Sequence, residues 1–326
     1  MAATFLHQRK DFKNLLLTLE GERNILASLI EKDYWIMHVL HSLKNAGLIF
    51  ELKGGTSLSK GFQIIDRFSE DIDTHISPPP QFKEATGLTI NENYKSSNKN
   101  HFEPRRQFFD WLAGNIKIDG ITEVLRDTSF DETRNYRSGG IRLIYKSHFD
   151  PVPGVKEGIL LEAGFAKVTP NSPVDISSWA YERAVTAKID IIDNRALGIA
   201  CYHPGYTLVE KVQTIATKFR LEQTNEDKET AKVNFMRQYY DVYKLLHQQN
   251  VLDFIGTEEY YSHKNEHFSD IDLQTPIAEK EAFKLTDDRI RADYKGRYEN
   301  TKALYYRGQP DFDEMIEYIQ QYLEKL

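Results

Sequence analysis

Two carboxylates, Asp71 and Asp73, stand two residues apart in "SEDIDTHI". On an extended strand that spacing sends both side chains to one face and Ile72 to the other, so the pair can share a divalent metal. Mg²⁺ takes a few carboxylates together with phosphate oxygens, which is the requirement of a nucleoside triphosphate site. For so short a motif the structural alternative is an exposed acidic strand edge. The preceding stretch, "GGTSLSKGF" at 54–62, argues for chemistry. Gly54 and Gly55 free backbone N–H groups at a helix start, where negative charge is favoured, and the Thr56 and Ser57 hydroxyls add donors. An anion site then lies one short helix away from a metal site. The stretch is not a P-loop, because Lys60 follows the glycines by five positions and is followed by Gly61 rather than Ser or Thr.

The elements that must hold these groups are readable from periodicity. "LIFEL" reads as a strand, "TSLSKGFQII" as a helix and "SEDIDTHI" as a second strand, which the prolines at 78–80 bring to an end. Residues 22–46 place Leu26, Leu29, Ile36, Leu40 and Leu43 at helical spacing, with Gly47 as the stop. Asp33 falls on that apolar face and needs a partner, as a buried cap or in an ion pair. Residues 86–107 are polar and aperiodic and read as a mobile surface insertion, and "FFDWLAGNI" reads as a helix. "GIRLIYKSHF" and "GILLEAGFAKV" are strands, expected to pair antiparallel across the turn "DPVPGVKE". From residue 204 long helices take over. Thr207 and Glu210 have capping-box spacing, which starts a helix there and puts Lys211 in its first turn. A second helix is expected over 230–248, with Val233, Met236, Tyr239, Tyr240, Tyr243 and Leu246 on its apolar stripe. The expected organisation is an α+β domain over 1–203 and a helical domain over 204–326.

Composition sets the outer bounds. The chain has 326 residues, 40% hydrophobic and 28% charged, as expected of a globular protein of two domains. It shows no secretory signal and no run of 18 apolar residues, so the expectation is a cytoplasmic protein without a membrane partner. Cys201 is the sole cysteine, which excludes an internal disulfide and a multi-cysteine zinc site and suits a small core filler. The net charge of −7 gives no overall basic field, so any RNA surface must be local. Residues 289–309 offer six Lys/Arg against two acids, with Tyr294, Tyr298, Tyr305 and Tyr306 interleaved. Such a stretch either stacks on unpaired bases or forms an amphipathic helix whose tyrosines pack inward.

"KGGTSLSKGF…RFSEDIDTHI", preceded by "EKDYW" and followed by "LVEKVQTIATKFR" and "RQYYDVYKL", resembles the AbiEii/AbiGii toxin nucleotidyltransferases, within the DNA-polymerase-β-like nucleotidyltransferase superfamily. The resemblance is dense over 31–76 and 205–246. It implies a mixed sheet flanked by helices and a helical C-terminal domain. It also implies a toxin of a toxin–antitoxin or abortive-infection pair, with a cognate antitoxin protein, that moves a nucleotide from an NTP to RNA, the tRNA 3′ end being the acceptor. Gly54, Gly55, Thr56 and Ser57 match the phosphate-cradling motif, and Asp71 and Asp73 the metal-binding pair. Arg67 and Ser69 match the family's R-x-S-x-D-x-D, while Lys211 and Asp241 match its later lysine and aspartate motifs. That aspartate motif is only partly kept, since Tyr243 and Lys244 replace a further acid.

Nucleotidyl transfer at the α-phosphorus is mainly positioning and charge neutralisation. The resemblance therefore implies two Mg²⁺ ions, with Mn²⁺ able to replace them, held by Asp71 and Asp73. Polymerase-β-like sites add a third carboxylate from a neighbouring strand, for which Glu162 in "ILLEAGF" is the candidate. Its structural alternative is an ion pair with Lys146 or Lys167. Arg67 has two readings, a phosphate fork or an ion pair with Glu70 or Asp66. Lys60 is a nucleotide-site cation or a solvated helix lysine, and His75 a ligand or a structural imidazole. Lys211, in a first turn where its charge opposes the macrodipole, is assigned to the leaving pyrophosphate, with pairing to Asp241 as the alternative. Two other functions compete, namely the same chemistry on a protein or small-molecule acceptor and a non-catalytic binding module.

Overall fold

The structure is a computed structural model and describes residues 3–91, 93, 96, 98–152, 155–166, 168–224 and 234–326. Its contacts divide into two units, Met1–Phe62 with Ser69–Tyr202 and Gln63–Phe68 with His203–Leu326.

The first unit runs α1 (Phe12–Arg23), α2 (Ala27–Asn45), β1 (Phe50–Lys53), α3 (Gly54–Thr56), β2 (Asp71–Ile76), α4 (Pro80–Thr86), α5 (Phe102–Asn115), β3 (Ile121–Asp127), β4 (Ser138–Tyr145), β5 (Ile159–Gly164), β6 (Asn171–Ile176), α6 (Trp179–Thr186) and β7 (Ala196–Tyr202). The strands form one sheet in the order β3-β4-β5-β2-β1-β7-β6. The sheet is mixed: β2 runs antiparallel to β1 and parallel to β5, and β1 is parallel to β7. β4 and β5 pair antiparallel, as their sequences suggest. Pro173, which cannot donate to a ladder, sits in the edge strand β6.

The helix expected over 22–46 is α2, which starts later than expected. Asn24 closes α1 in a left-handed conformation, φ 55°, which Asn tolerates better than most residues, and α2 starts afresh at Ala27. α2 is buried on every side through its middle, so its carboxylates there need partners, and both have them. Glu31 accepts from Ser147 Oγ at 2.8 Å and engages His148 Nδ1 at 2.7 Å. Asp33 pairs with Lys60 at 2.7 Å and accepts the Trp179 N–H at 2.9 Å, capping α6. The partner that the sequence demanded for Asp33 is thus both an ion pair and a cap. The helix expected to reach Ile65 ends earlier. α3 continues as a π-helical turn over Ser57–Gly61, after which Gln63 has φ 54°. Within the 86–107 stretch, residues 92, 94, 95 and 97 lie outside the described residues, and α5 already begins at Phe102. Arg105 is fully buried and donates to the carbonyl oxygens of Asn135 at 3.0 Å and Asn93 at 2.8 Å, anchoring a segment expected only as surface.

The second unit is helical: α7 (Pro204–Thr224), α8 (Arg237–Leu245), α9 (Gln249–Phe254), α10 (Glu258–His267), α11 (Asp270–Leu273), α12 (Glu281–Lys284), α13 (Asp288–Glu299) and α14 (Phe312–Gln320). α7 begins three residues before the expected capping box, at a proline, whose missing N–H and fixed φ suit the first helical position. His203 Nδ1 accepts from the Gly205 N–H at 3.2 Å, which caps the start, while Thr207 is buried inside the first turn. Lys211 therefore lies in the second turn, and the macrodipole argument for its charge falls. α8 begins at Arg237, and Val233 lies outside the described residues. Of the stretch 289–309, Tyr294, Tyr298 and Tyr305 are buried. Arg291 and Lys295 pair with Asp313 at 2.7 and 2.6 Å, and Arg297 with Glu222 at 2.9 Å. The inward-packing reading of these tyrosines holds. Among the described residues no helix is long and apolar enough to cross a membrane.

Candidate active site

The acidic face of β2 is built by strand alternation. Ile72, Thr74 and Ile76 are buried, while Asp71, Asp73 and His75 share the other, half-buried face. On one side Asp73 pairs in register with Lys53 of β1, and on the other with Glu162 of β5. Residues opposed in register point to the same face, so Glu162 joins the two aspartates. Burial and the neighbouring charges of Asp73 and Asp71 push the Glu162 carboxyl up to about 8. Burial also raises Asp71, with Glu70 and Asp73 adding to the effect against Lys156. A cluster of carboxyls in which Glu162 and Asp71 resist ionising is the environment that a divalent cation relieves, and all-oxygen donors suit Mg²⁺.

Gly54 is the second half of the site. Its φ is 70°, and a Cβ there would land on Asp73 Oδ2, so only glycine lets the turn approach the carboxylate. The N–H groups at this helix start have no carbonyl one turn earlier to receive them. Gly55 is buried beside it. Two expected hydroxyl donors are otherwise placed: Thr56 Oγ1 donates to the Asp71 carbonyl, tying the turn to β2, and Ser57 is fully buried. A π-helical turn, rare in itself and frequent at functional sites, follows over Ser57–Gly61. Gly61 is closely approached for a different reason, since a Cβ there would meet Cys201 Sγ at 3.0 Å. Cys201 is core filling as expected, its thiol pushed up to about 12 by burial.

Lys60 is not solvated. It pairs with Asp33 and lies 5.1 Å from the centre of the Trp179 ring. His75 stands opposite Glu51, 3.2 Å from its carboxylate, which is the structural reading. Ser69 is half-buried. Of the lysines expected as ion-pair partners of Glu162, Lys167 lies outside the described residues.

Arg67, Lys211 and Asp241 come together inside the helical unit. The Arg67 guanidinium grips Asp241 through two bonds of 2.7 Å, and Lys211 Nζ lies 3.1 Å from the same carboxylate. Burial alone would raise Asp241, but Arg67 and Lys211 hold it below its ordinary value. Neither expected partner of Arg67 is used, because each already has a lysine: Asp66 pairs with Lys244 at 2.9 Å and Glu70 with Lys32 at 3.1 Å.

Sequence reasoning missed Lys156. Its Nζ lies 3.2 Å from Asp71 Oδ2 and 4.4 Å from the Phe130 ring centre, and its N–H donates to Glu70 Oε2 at 2.8 Å. Only its place after the turn "DPVPG" was legible.

No curated protein matches the chain. The family model described as nucleotidyl transferase AbiEii toxin, type IV toxin–antitoxin system, matches residues 40–324. A glycine turn set against a strand Asp-x-Asp, over a match that spans most of the sequence, leads to one conclusion: the chain belongs to the AbiEii family of nucleotidyltransferase toxins.

Proposed function

We propose that the protein is an Mg²⁺-dependent toxin that moves an NMP from an NTP to the 3′ end of a tRNA, acts in the cytoplasm and is countered by a cognate antitoxin. The observation that supports this reading most is the register that brings Asp71, Asp73 and Glu162 to one face, with Gly54 seated against Asp73. These three carboxylates would hold two Mg²⁺ ions, or Mn²⁺ in their place. When bound, the divalent cations supply Lewis acidity, favouring the nucleophilic form of the acceptor hydroxyl and neutralising charge on the leaving pyrophosphate.

The chain's own residues do the positioning. The N–H groups at Gly54 and Gly55 bind triphosphate oxygens, and the carboxylate face stays rigid because Thr56 holds the Asp71 backbone. Lys156, already on Asp71, keeps part of that charge neutral until the nucleotide arrives. Lys211 is assigned to the leaving pyrophosphate on its motif match, with Asp241 orienting it and Arg67.

Incubation with each labelled NTP, Mg²⁺, total cellular RNA and total protein identifies the acceptor. The expected product is labelled RNA of tRNA length, sensitive to ribonuclease. Label on protein or on a small molecule alone would replace the RNA acceptor, and no label from any NTP would overturn transfer itself.

A further inference from the structure

The tightest set of metal-ligating atoms among the described residues is not on the sheet. Glu210 of α7 and His263 and His267 of α10 each offer one donor atom, and these atoms all lie within 4.8 Å of one another. Nothing in the proposed transfer uses them. We propose that the helical unit binds one Zn²⁺-class ion through Glu210 Oε1 and the Nε2 atoms of His263 and His267.

Three features carry the assignment. The histidines are four residues apart on one helix, which brings their rings together on one face, centroids 3.9 Å apart and planes tilted by 43°. Glu210 Oε1 lies 3.8 Å from His263 Nε2 and 3.9 Å from His267 Nε2. These separations are too long for hydrogen bonds, yet within about 4.2 Å, the largest span of two ligands each about 2.1 Å from one zinc ion. A directly bonded carboxylate–imidazole pair would close that gap, whereas an ion between them fills it. Finally, His267 Nδ1 lies 3.0 Å from the His263 carbonyl oxygen. A carbonyl only accepts, so this contact places the proton on Nδ1 and leaves the Nε2 lone pair for a metal, the outer-shell arrangement usual for a ligating histidine.

The donor set of two imidazoles and one carboxylate suits Zn²⁺ and its first-row neighbours rather than Mg²⁺, and three protein ligands leave a fourth position for water. Bound there, an ion ties α10 to α7 next to Lys211.

The test uses the full chain carrying Asp71→Asn and Asp73→Asn, so that the strand carboxylates do not contribute. Binding of Zn²⁺ is measured by metal analysis after equilibrium dialysis, and of Co²⁺ by its visible absorption. One ion per chain is expected, with the absorption of imidazole-bound, four-coordinate Co²⁺, and adding His267→Ala should weaken it at least about 100-fold with unchanged circular dichroism. His267 is half-buried, and Glu210→Gln serves as a second variant if that one does not fold. Absence of stoichiometric Zn²⁺ binding at micromolar metal, or binding unchanged by both substitutions, would overturn the site. Neither outcome bears on nucleotide transfer.

Discussion

At Gly54 a single missing methyl group decides whether the phosphate turn and the metal face can coexist. A Cβ at φ 70° would strike Asp73 Oδ2. Gly54→Ala therefore carries the left-handed penalty of about 1–2 kcal/mol and also displaces a carboxylate. The expected outcome is a lower melting temperature together with loss of transfer, read by calorimetry and by label incorporation; full activity would show that the turn does not set Asp73. Glu162 gives a pH signature. Its carboxyl titrates at about 8 in the folded protein against 4.5 ordinarily, so between those values the native state holds a proton that the unfolded chain has released. The contribution of Glu162 to the stability of the metal-free protein should accordingly be greatest below about pH 5 and fall as pH rises towards about pH 8. Glu162→Gln should flatten that decline and raise the melting temperature at pH 8. Thermal scans across pH check this, and an unchanged slope would contradict the buried carboxylate cluster. The same residue shows what was legible: Glu162 lay in the expected strand "GILLEAGFAKV", but its register against Asp73 came only with the fold. Lys156 reaches Asp71 across 85 residues from a turn, and no periodicity announces such a contact.

Among the elements, α7 and α8 share a buried charge cluster in which the three members are not equivalent. Asp241 is fully buried and takes a bidentate grip from Arg67, with Lys211 as a second partner. Removing Lys211 leaves that grip in place. Lys211→Ala should thus lower transfer by about 10² to 10³ with little change in melting temperature. Asp241→Ala instead leaves the Arg67 guanidinium buried and unpaired, at a cost of about 3–5 kcal/mol. Near-normal turnover in Lys211→Ala would remove the lysine from catalysis, and an equal stability loss in both variants would make it a packing residue. The pairing of Arg67 with Asp241 was hidden because it spans 174 residues, while the nearer acids Asp66 and Glu70 looked as eligible. The start of α7 misled for a local reason. Thr207 and Glu210 have the spacing of a capping box, but Pro204 and His203 already open the helix one turn earlier.

For the chain as a whole, the α+β character and the later run of helices were legible because hydrophobic period and turn residues agree along most of the sequence, while the mixed sheet was expected only from the family resemblance. The acceptor was less so. With a net charge of −7, and with Tyr294, Tyr298 and Tyr305 buried, residues 289–309 follow the inward-packing alternative rather than the stacking one. The claim that the chain transfers nucleotides rests on the Asp71 and Asp73 face. Label incorporation from an NTP by the wild type, Asp71→Asn and Asp73→Asn at equal Mg²⁺, with folding verified by melting temperature, tests it most directly. A loss of at least about 10²-fold in both folded variants is the predicted result, and a wild-type rate in either one would contradict the account.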